Sequence, residues 1–256
     1  MKLRLMTWNV HRCVGTDRKL DIGRVAEVIA ACKPDIVALQ ELDVGRARTG
    51  GVDQAHRLAE LLSMRSHFNA ALTVEEERYG DAILTALPER LVKVGPLPGL
   101  PRLRGLEPRG ALWVAIDLGG VELQVINTHL GLVPREQQVQ AAELLGLRWL
   151  GSEGFVGPAV LLGDFNALPI SQTYRMFTAV LRDAQDGWSK APTATFPSGF
   201  PILRIDHVFL SEGITVRGIE SPFDPRSRVA SDHLPLIVEV EVAGSSRAVS
   251  DRKSVV

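Results

Sequence analysis

A chain of 256 residues suits one large domain or two small ones and can bury a substantial core. Hydrophobic residues make up 45% and charged residues 23%, ordinary for a globular protein, and no apolar run approaches the roughly 18 residues of a spanning helix. The formal net charge of −1 argues against a protein that grips long nucleic acid mainly through its phosphates, since such proteins are usually basic.

The segment from Lys2 to Asn9 alternates like a strand and lacks the apolar core of a signal peptide. Asp21 is a helix N-cap, and Ile22, Val25, Ala26 and Ile29 follow at helical spacing until Lys33-Pro34 stops the helix. Asp35 to Leu39 reads as a short buried strand ending in Gln40-Glu41. A polar loop from Asp43 to Asp53 then leads into a second helix through Leu58, Leu61 and Leu62. Strands are expected at Ala82–Leu87, Ala111–Leu118 and Val121–Asn127, with Gly119-Gly120 as a two-residue hairpin turn. Pro134 opens a helix reaching Trp149. Ala159–Leu162 is a strand, Ser171–Val180 a helix, and Ile205–Leu210 and Leu234–Val242 are strands. The domain is expected over 1–242, with the small, polar and charged tail over 243–256 disordered. Cys13 and Cys32 have no partner spacing of interest, so a reduced cytoplasm is the expected setting. Many strands with few helices fit an α+β fold with a largely antiparallel sheet system and helices outside.

Several strands begin or end in polar tags that a structural role does not require. They are Thr7-Trp8-Asn9, Leu39-Gln40-Glu41, Asn127-Thr128-His129, Gly163-Asp164-Phe165-Asn166, Ile205-Asp206-His207 and Ser231-Asp232-His233. A lone carboxylate after a strand is more often a helix cap or turn former. Six such tags are different, because strand ends on one sheet edge can converge on one cleft. Such a gathering of acids, amides and histidines is costly unless a metal or an anion holds it.

Glu41, Asp164, Asp206 and Asp232 offer hard oxygen ligands, which select Mg²⁺ or Mn²⁺ over Zn²⁺. The histidines show no zinc spacing. Asn9 and Asn166 can bind metal, water or phosphate oxygen without adding repulsion, and His129 and His233 can donate protons or hydrogen bonds to a dianionic transition state. Together these groups describe phosphoester hydrolysis.

In their order along the chain, the same tags resemble the endonuclease/exonuclease/phosphatase superfamily, and the resemblance runs from residue 2 to about residue 242. It implies a four-layer α/β/β/α sandwich of two mostly antiparallel sheets. It also implies that Asn9 and Glu41 bind the metal, with Asp232 a further ligand directly or through water. Asp164 would deprotonate the attacking water and Asn166 hydrogen-bond the phosphate. Asp206 would pair with His233 and keep it cationic, and His129 would face the same phosphate.

Other residues support this set less directly. His207 follows Asp206 in a strand, so alternation points it to the opposite face as a structural histidine. His11 stands where abasic-site endonucleases of the superfamily carry an aspartate, which weakens that reading and leaves His11 as either a cleft or a half-buried residue. Arg109, in Glu107-Pro108-Arg109-Gly110, is a candidate to steady the carboxylates. Tyr79 is a further candidate for substrate contact, and Asp81 reads as a turn residue before its strand. His56 and His67 read as surface residues on or just after a helix. Arg46 and Arg48 either greet a substrate phosphate or belong to a solvated loop, which is the commoner case. The substrate is a phosphodiester or phosphomonoester. Nucleic-acid ends, abasic sites and a lipid headgroup are alternatives, and a non-catalytic binder of phosphorylated ligands is the alternative of another class. The Arg204-Ile205-Asp206-His207 stretch lacks the Trp-Cys-Asp-Arg run of inositol phosphatases, and aromatics at 5% are few for a strand-stacking nuclease. No protein partner is implied.

Overall fold

The structure is a computed structural model that describes residues 1–101, 103, 105–188 and 193–243. Of the expected tail, only Ala243 lies among the described residues. The first sheet is built from β1 (Lys2–Asn9), β2 (Ile36–Val44), β3 (Arg65–Val74), β4 (Glu77–Thr85), β11 (Ile214–Glu220) and β12 (Leu236–Val242). The second contains β5 (Glu89–Pro96), β6 (Gly110–Asp117), β7 (Glu122–His129), β8 (Ala159–Asp164), β9 (Arg182–Asp183) and β10 (Asp206–Leu210). Their orders are β11-β12-β1-β2-β4-β3 and β5-β6-β7-β8-β10-β9. Helices α1 (Ile22–Cys32), α2 (Gln54–Leu62), α3 (Pro134–Leu145), α4 (Gln172–Thr178) and α5 (Pro225–Ala230) complete the described elements, with short 3-10 turns over His11–Cys13 and Ala47–Thr49. No helix among the described residues is long and apolar enough to cross a membrane.

The period of two along each strand sorts the side chains into layers. On β1, Leu3 and Leu5 enter the core between the sheets, while Met6 and Trp8 pack outward with α1 and α2. On β8 and β10, Val160, Leu162, Val208 and Leu210 face the inner core. Leu161 and Phe209 face a third cluster with Leu144, Trp149 and Phe177 beneath α3 and α4. Three apolar layers between four layers of secondary structure make the α/β/β/α sandwich that the strand pattern implied.

Each sheet holds one parallel pair, and these pairs position the tags. β1 runs parallel to β2 with Asn9 opposite Gln40, and β7 runs parallel to β8 with His129 opposite Asp164. β10 is antiparallel to β8, so its first residue, Asp206, pairs with Asp164 at the end of β8. β12 is antiparallel to β1, which brings the 231–234 segment to the Asn9 end. Tags from strand starts and strand ends therefore meet at one edge of the sandwich.

Several expectations are corrected. β2 does not stop at Gln40-Glu41 but continues to Val44, across a bulge between Leu39 and Leu42. β4 starts at Glu77, so Tyr79-Gly80-Asp81 lies inside a strand and Asp81 is a buried strand residue, not a turn former. α3 ends at Leu145, where Gly146 caps it, and Trp149 is buried in the turn beyond. His67 sits in β3, not near a helix end, and contacts Glu89. β3, β5, β9, β11 and α5 were not legible in the sequence.

Candidate active site

Inward rows of apolar residues end in polar ones at the shared edge, so the site grows directly out of the core. Across the sheets, Gln40 Nε2 donates to Asn127 Oδ1 at 2.8 Å. Asn127 Nδ2 donates to the carbonyls of Leu39 and Ala82, both at 2.9 Å. This buried amide lock ties the sheets together just beneath the site, and no local pattern along the chain signals its pairing.

Asp164 is the hub. Its Oδ1 accepts the Asn166 backbone N–H at 2.9 Å, and its Oδ2 accepts Asn9 Nδ2 at 3.0 Å. The same Oδ2 lies 3.5 Å from His129 Nε2 and 3.7 Å from His233 Nε2. Burial, then the neighbouring Asp206 charge, push the Asp164 carboxyl up to about 6. His233 Nδ1 pairs with Asp206 Oδ2 at 2.9 Å. Burial alone would lower the His233 pKa, but Asp206 and Asp164 outweigh it and raise it to about 10, so the ring is cationic at neutral pH. Asp206 Oδ2 also accepts the Thr195 hydroxyl.

His129 is tuned the opposite way. Burial, the Arg109 guanidinium and cationic His233 hold its pKa well below the usual histidine range. Arg109 Nη1 lies 3.0 Å from His129 Nδ1 and 2.8 Å from Glu107 Oε1. A guanidinium only donates, so Nδ1 accepts and the neutral ring carries its hydrogen on Nε2. Asn166 Nδ2 stands 3.1 Å from that Nε2 and is anchored to the Leu130 carbonyl at 3.0 Å. In this tautomer the two nitrogens face each other as donors with no acceptor between them, an arrangement that an anionic oxygen accepting from both would satisfy.

Glu41 reaches the cleft because of the β2 bulge and its left-handed backbone, φ +62°. Its carboxylate accepts Asn9 Nδ2 at 2.9 Å, and no arginine or lysine pairs with it among the described residues. Asn9 Oδ1 is turned away from Glu41 and accepts the His11 backbone N–H at 3.0 Å. Asp164, Asp206 and His233 offer ligand atoms within 4.8 Å of one another. A cationic imidazole has no lone pair to give, so this trio is better explained as an ion-paired cluster than as a metal cage. The surplus of hard carboxylate oxygen around Glu41 and Asp164 fits a divalent cation of the Mg²⁺ type. Glu41 would hold it, with Asn9 joining if its amide rotates.

The cleft has a volume of 610 Å³, within the roughly 300–1,000 Å³ of small-ligand sites. Asn9, Glu41, Tyr79, Arg109, His129, Asp164, Asn166 and His233 all line it. Asp206 supports His233 from below. Asp232 does not line it; its carboxylate lies 3.2 Å from the Ser231 hydroxyl, which in turn donates to the Asn9 carbonyl. His11 and Arg46 do not line it either, and Arg46 pairs with Glu77. Their neighbours do. Arg12 enters the cleft from the His11–Cys13 turn, and Arg48 is held by both oxygens of Asp43 and lies over the Tyr79 ring. Burial, with Glu41 nearby, raises the Tyr79 hydroxyl pKa and lifts the Asp81 carboxyl to about 8, which leaves both uncharged at neutral pH. His207 points to the outer face, with Nε2 2.8 Å from the Ala167 carbonyl and Nδ1 3.3 Å from Asp183. His56 lies on α2 and pairs with Glu60. Of nine non-glycine residues with positive φ among the described residues, five (His11, Arg12, Cys13, Glu41 and Asn166) adjoin this site, where such strain commonly gathers.

The model of the Endonuclease/Exonuclease/phosphatase family matches residues 6–233. The chain belongs to that family, whose members are hydrolases acting on phosphoester bonds. Among curated relatives, it is 25% identical to YbhP of Escherichia coli K12, described as an uncharacterized protein, over 93% of this chain and 96% of that one. An endonuclease/exonuclease/phosphatase structure from Beutenbergia cavernae superimposes with a TM-score of 0.74 at 26% identity, covering 95% of this chain and 72% of that one. A mannosyl-6-phosphatase from Bacteroides thetaiotaomicron shares the fold with a TM-score of 0.72 at 22% identity, over 93% of this chain and 99% of that one.

Proposed function

We propose that this chain hydrolyses phosphodiesters or phosphomonoesters with a hard divalent cation, Mg²⁺ or Mn²⁺. The observation that carries the reading is Asp164, a buried carboxylate oriented by Asn9 and the Asn166 N–H and flanked by two histidine Nε2 atoms. Asp164 accepts the proton of the attacking water. His233, held by Asp206, directs a charged N–H at the phosphoryl oxygens, and His129 Nε2–H and Asn166 Nδ2–H supply neutral donors from the other wall. Arg109 fixes the His129 tautomer that makes this possible. Glu41 and Asn9 would hold the cation, with Asp232, whose carboxylate meets the Ser231 hydroxyl outside the cleft lining, joining through water. The bound ion would supply positive charge to the phosphoryl oxygens. With both cysteines free, the chain suits a reducing compartment such as the cytoplasm.

Asp164→Asn and His233→Asn should each lower kcat on bis-nitrophenyl phosphate by about 10²–10⁴-fold. The double variant should fall little further, because the groups act as a unit. Undiminished turnover in either single variant contradicts the assignment. Tight binding of a phosphate ester by the wild type without any turnover would mark a non-catalytic binder instead.

A further inference from the structure

The two walls of the cleft differ in chemistry. Arg12, Arg48 and Tyr79 come from the first sheet and its loops, whereas Leu132, Leu168 and Leu203 come from the loops at the same edge of the second. Beyond the second wall the apolar surface continues outward. Leu132 is 72% exposed, Ile170 77%, Phe200 72% and Ile202 61%. Single exposed apolar residues are ordinary, but these four stand in the loops that carry the cleft-lining Leu132, Leu168 and Leu203, a concentration beside a polar reaction centre of the kind that marks an interaction surface.

We propose that this rim seats the protein on a lipid bilayer, so that a headgroup phosphoester enters the cleft; the proposal rests on the hydrolytic reading above. Three features favour a bilayer over other occupants. First, three of the four, Leu132, Ile170 and Ile202, are aliphatic: they can enter acyl chains, and only Phe200 among the four has a ring to offer a nucleobase. Second, Arg228 lies 4.7 Å from the Phe223 ring centroid, and its Nη2 donates to the carbonyl of Gly199, next to Phe200. An exposed arginine on one exposed ring, and bonded to the loop that carries a second, matches the headgroup level of a bilayer, where rings sit at the interface and cations meet lipid phosphates. Third, the platform is rigid and coupled to the site. Phe196 and Leu203 bridge the base of the Phe200 loop, and the Ser198 N–H donates to the Asp232 carbonyl at 2.7 Å. The Leu234 N–H donates to Thr195, and the Phe196 ring lies 4.7 Å from that of His233. A bilayer meeting Phe200 and Ile202 would therefore stand at a fixed distance from His233.

The test is co-sedimentation of the whole chain with vesicles of equal phosphatidylcholine and phosphatidylglycerol, comparing wild type with Ile170→Asp/Phe200→Asp. Both side chains are exposed and outside the cleft lining, so the variant should melt like wild type and cleave bis-nitrophenyl phosphate at the wild-type rate. Its vesicle partition coefficient should fall about tenfold or more. No sedimentation of the wild type, or equal partition of the variant, overturns the proposal. Binding of a single-stranded oligonucleotide, or a self-associated dimer, that is lost in the variant while vesicles are ignored also overturns it, in favour of nucleic acid or a second copy. Vesicle binding that depends on these residues, in a protein with no diesterase activity, supports the surface and refutes the hydrolytic reading alone.

Discussion

Asn127 spends both amide hydrogens on carbonyls of the opposite sheet and its oxygen on Gln40, in a fully buried position. Asn127→Leu keeps the volume but removes three buried hydrogen bonds, so it should destabilise the fold by about 3 kcal/mol. Urea unfolding checks this, and a change under about 0.5 kcal/mol would show that the lock contributes little. Asp183 is a second hub on the outer face: its Oδ2 accepts from Tyr174 at 2.9 Å and Arg204 at 3.0 Å and faces His207 at 3.3 Å. Burial would raise the Asp183 carboxyl, but His207, the Gln185 N–H and Arg204 outweigh it and hold the pKa below the usual carboxylate value. Its stabilisation is therefore complete above the unfolded value of about 4 and is lost as pH falls through the lowered folded value. Asp183→Asn should cost about 3 kcal/mol at pH 7, with the gap to wild type narrowing below about pH 4. A pH-independent gap in thermal or urea unfolding would contradict this. Residues such as Asn9, Asp164 and Asp206 were legible because each ends or starts an inward apolar row, and His207 because alternation turns it outward. Arg12 and the Gln40–Asn127 pair were not, since their placement depends on a left-handed turn and on contacts 87 residues apart. Arg48 is a candidate in the sequence, but the solvated loop is the favoured reading there, because nothing local shows that Asp43 holds it in the cleft.

At the scale of elements, the geometry beside the site depends on one glycine. Gly163 has φ +152°, and a Cβ there would stand 1.9 Å from the Thr128 carbonyl oxygen on the parallel neighbour β7. Gly163→Ala should push β8 from β7, costing about 3 kcal/mol or more. It should also lower turnover beyond the loss of folded protein, because Asp164 is the next residue. Wild-type melting temperature and activity in this variant would contradict the close approach. Central strands were readable because they are buried and strongly apolar. The strands missed, β3, β5, β9 and β11, are the four outer strands of the two sheets, where half-exposed faces dilute the alternation. The continuation of β2 past Glu41 was hidden for another reason: a bulge breaks the period of two at the residue whose carboxylate must be re-aimed.

For the whole molecule, two parallel pairs inside two mostly antiparallel sheets bring six polar tags to one edge, and the family match over residues 6–233 agrees with that arrangement. The chemistry of the centre follows from opposed environments: His233 is kept cationic by two carboxylates, while His129 is kept neutral by burial and Arg109. Among the described residues Glu41 pairs with no arginine or lysine, and its carboxylate beside Asp164 offers the hard oxygens that suit a divalent ion. The central claim is metal-assisted phosphoester hydrolysis at Asp164. It is tested most directly by steady-state turnover of bis-nitrophenyl phosphate by the wild type and Asp164→Asn, after chelation and after restoring Mg²⁺ or Mn²⁺. Wild-type turnover should vanish on chelation and return with the ion, while Asp164→Asn should stay at background throughout. Turnover that survives chelation, or an Asp164→Asn enzyme as active as wild type, would contradict it.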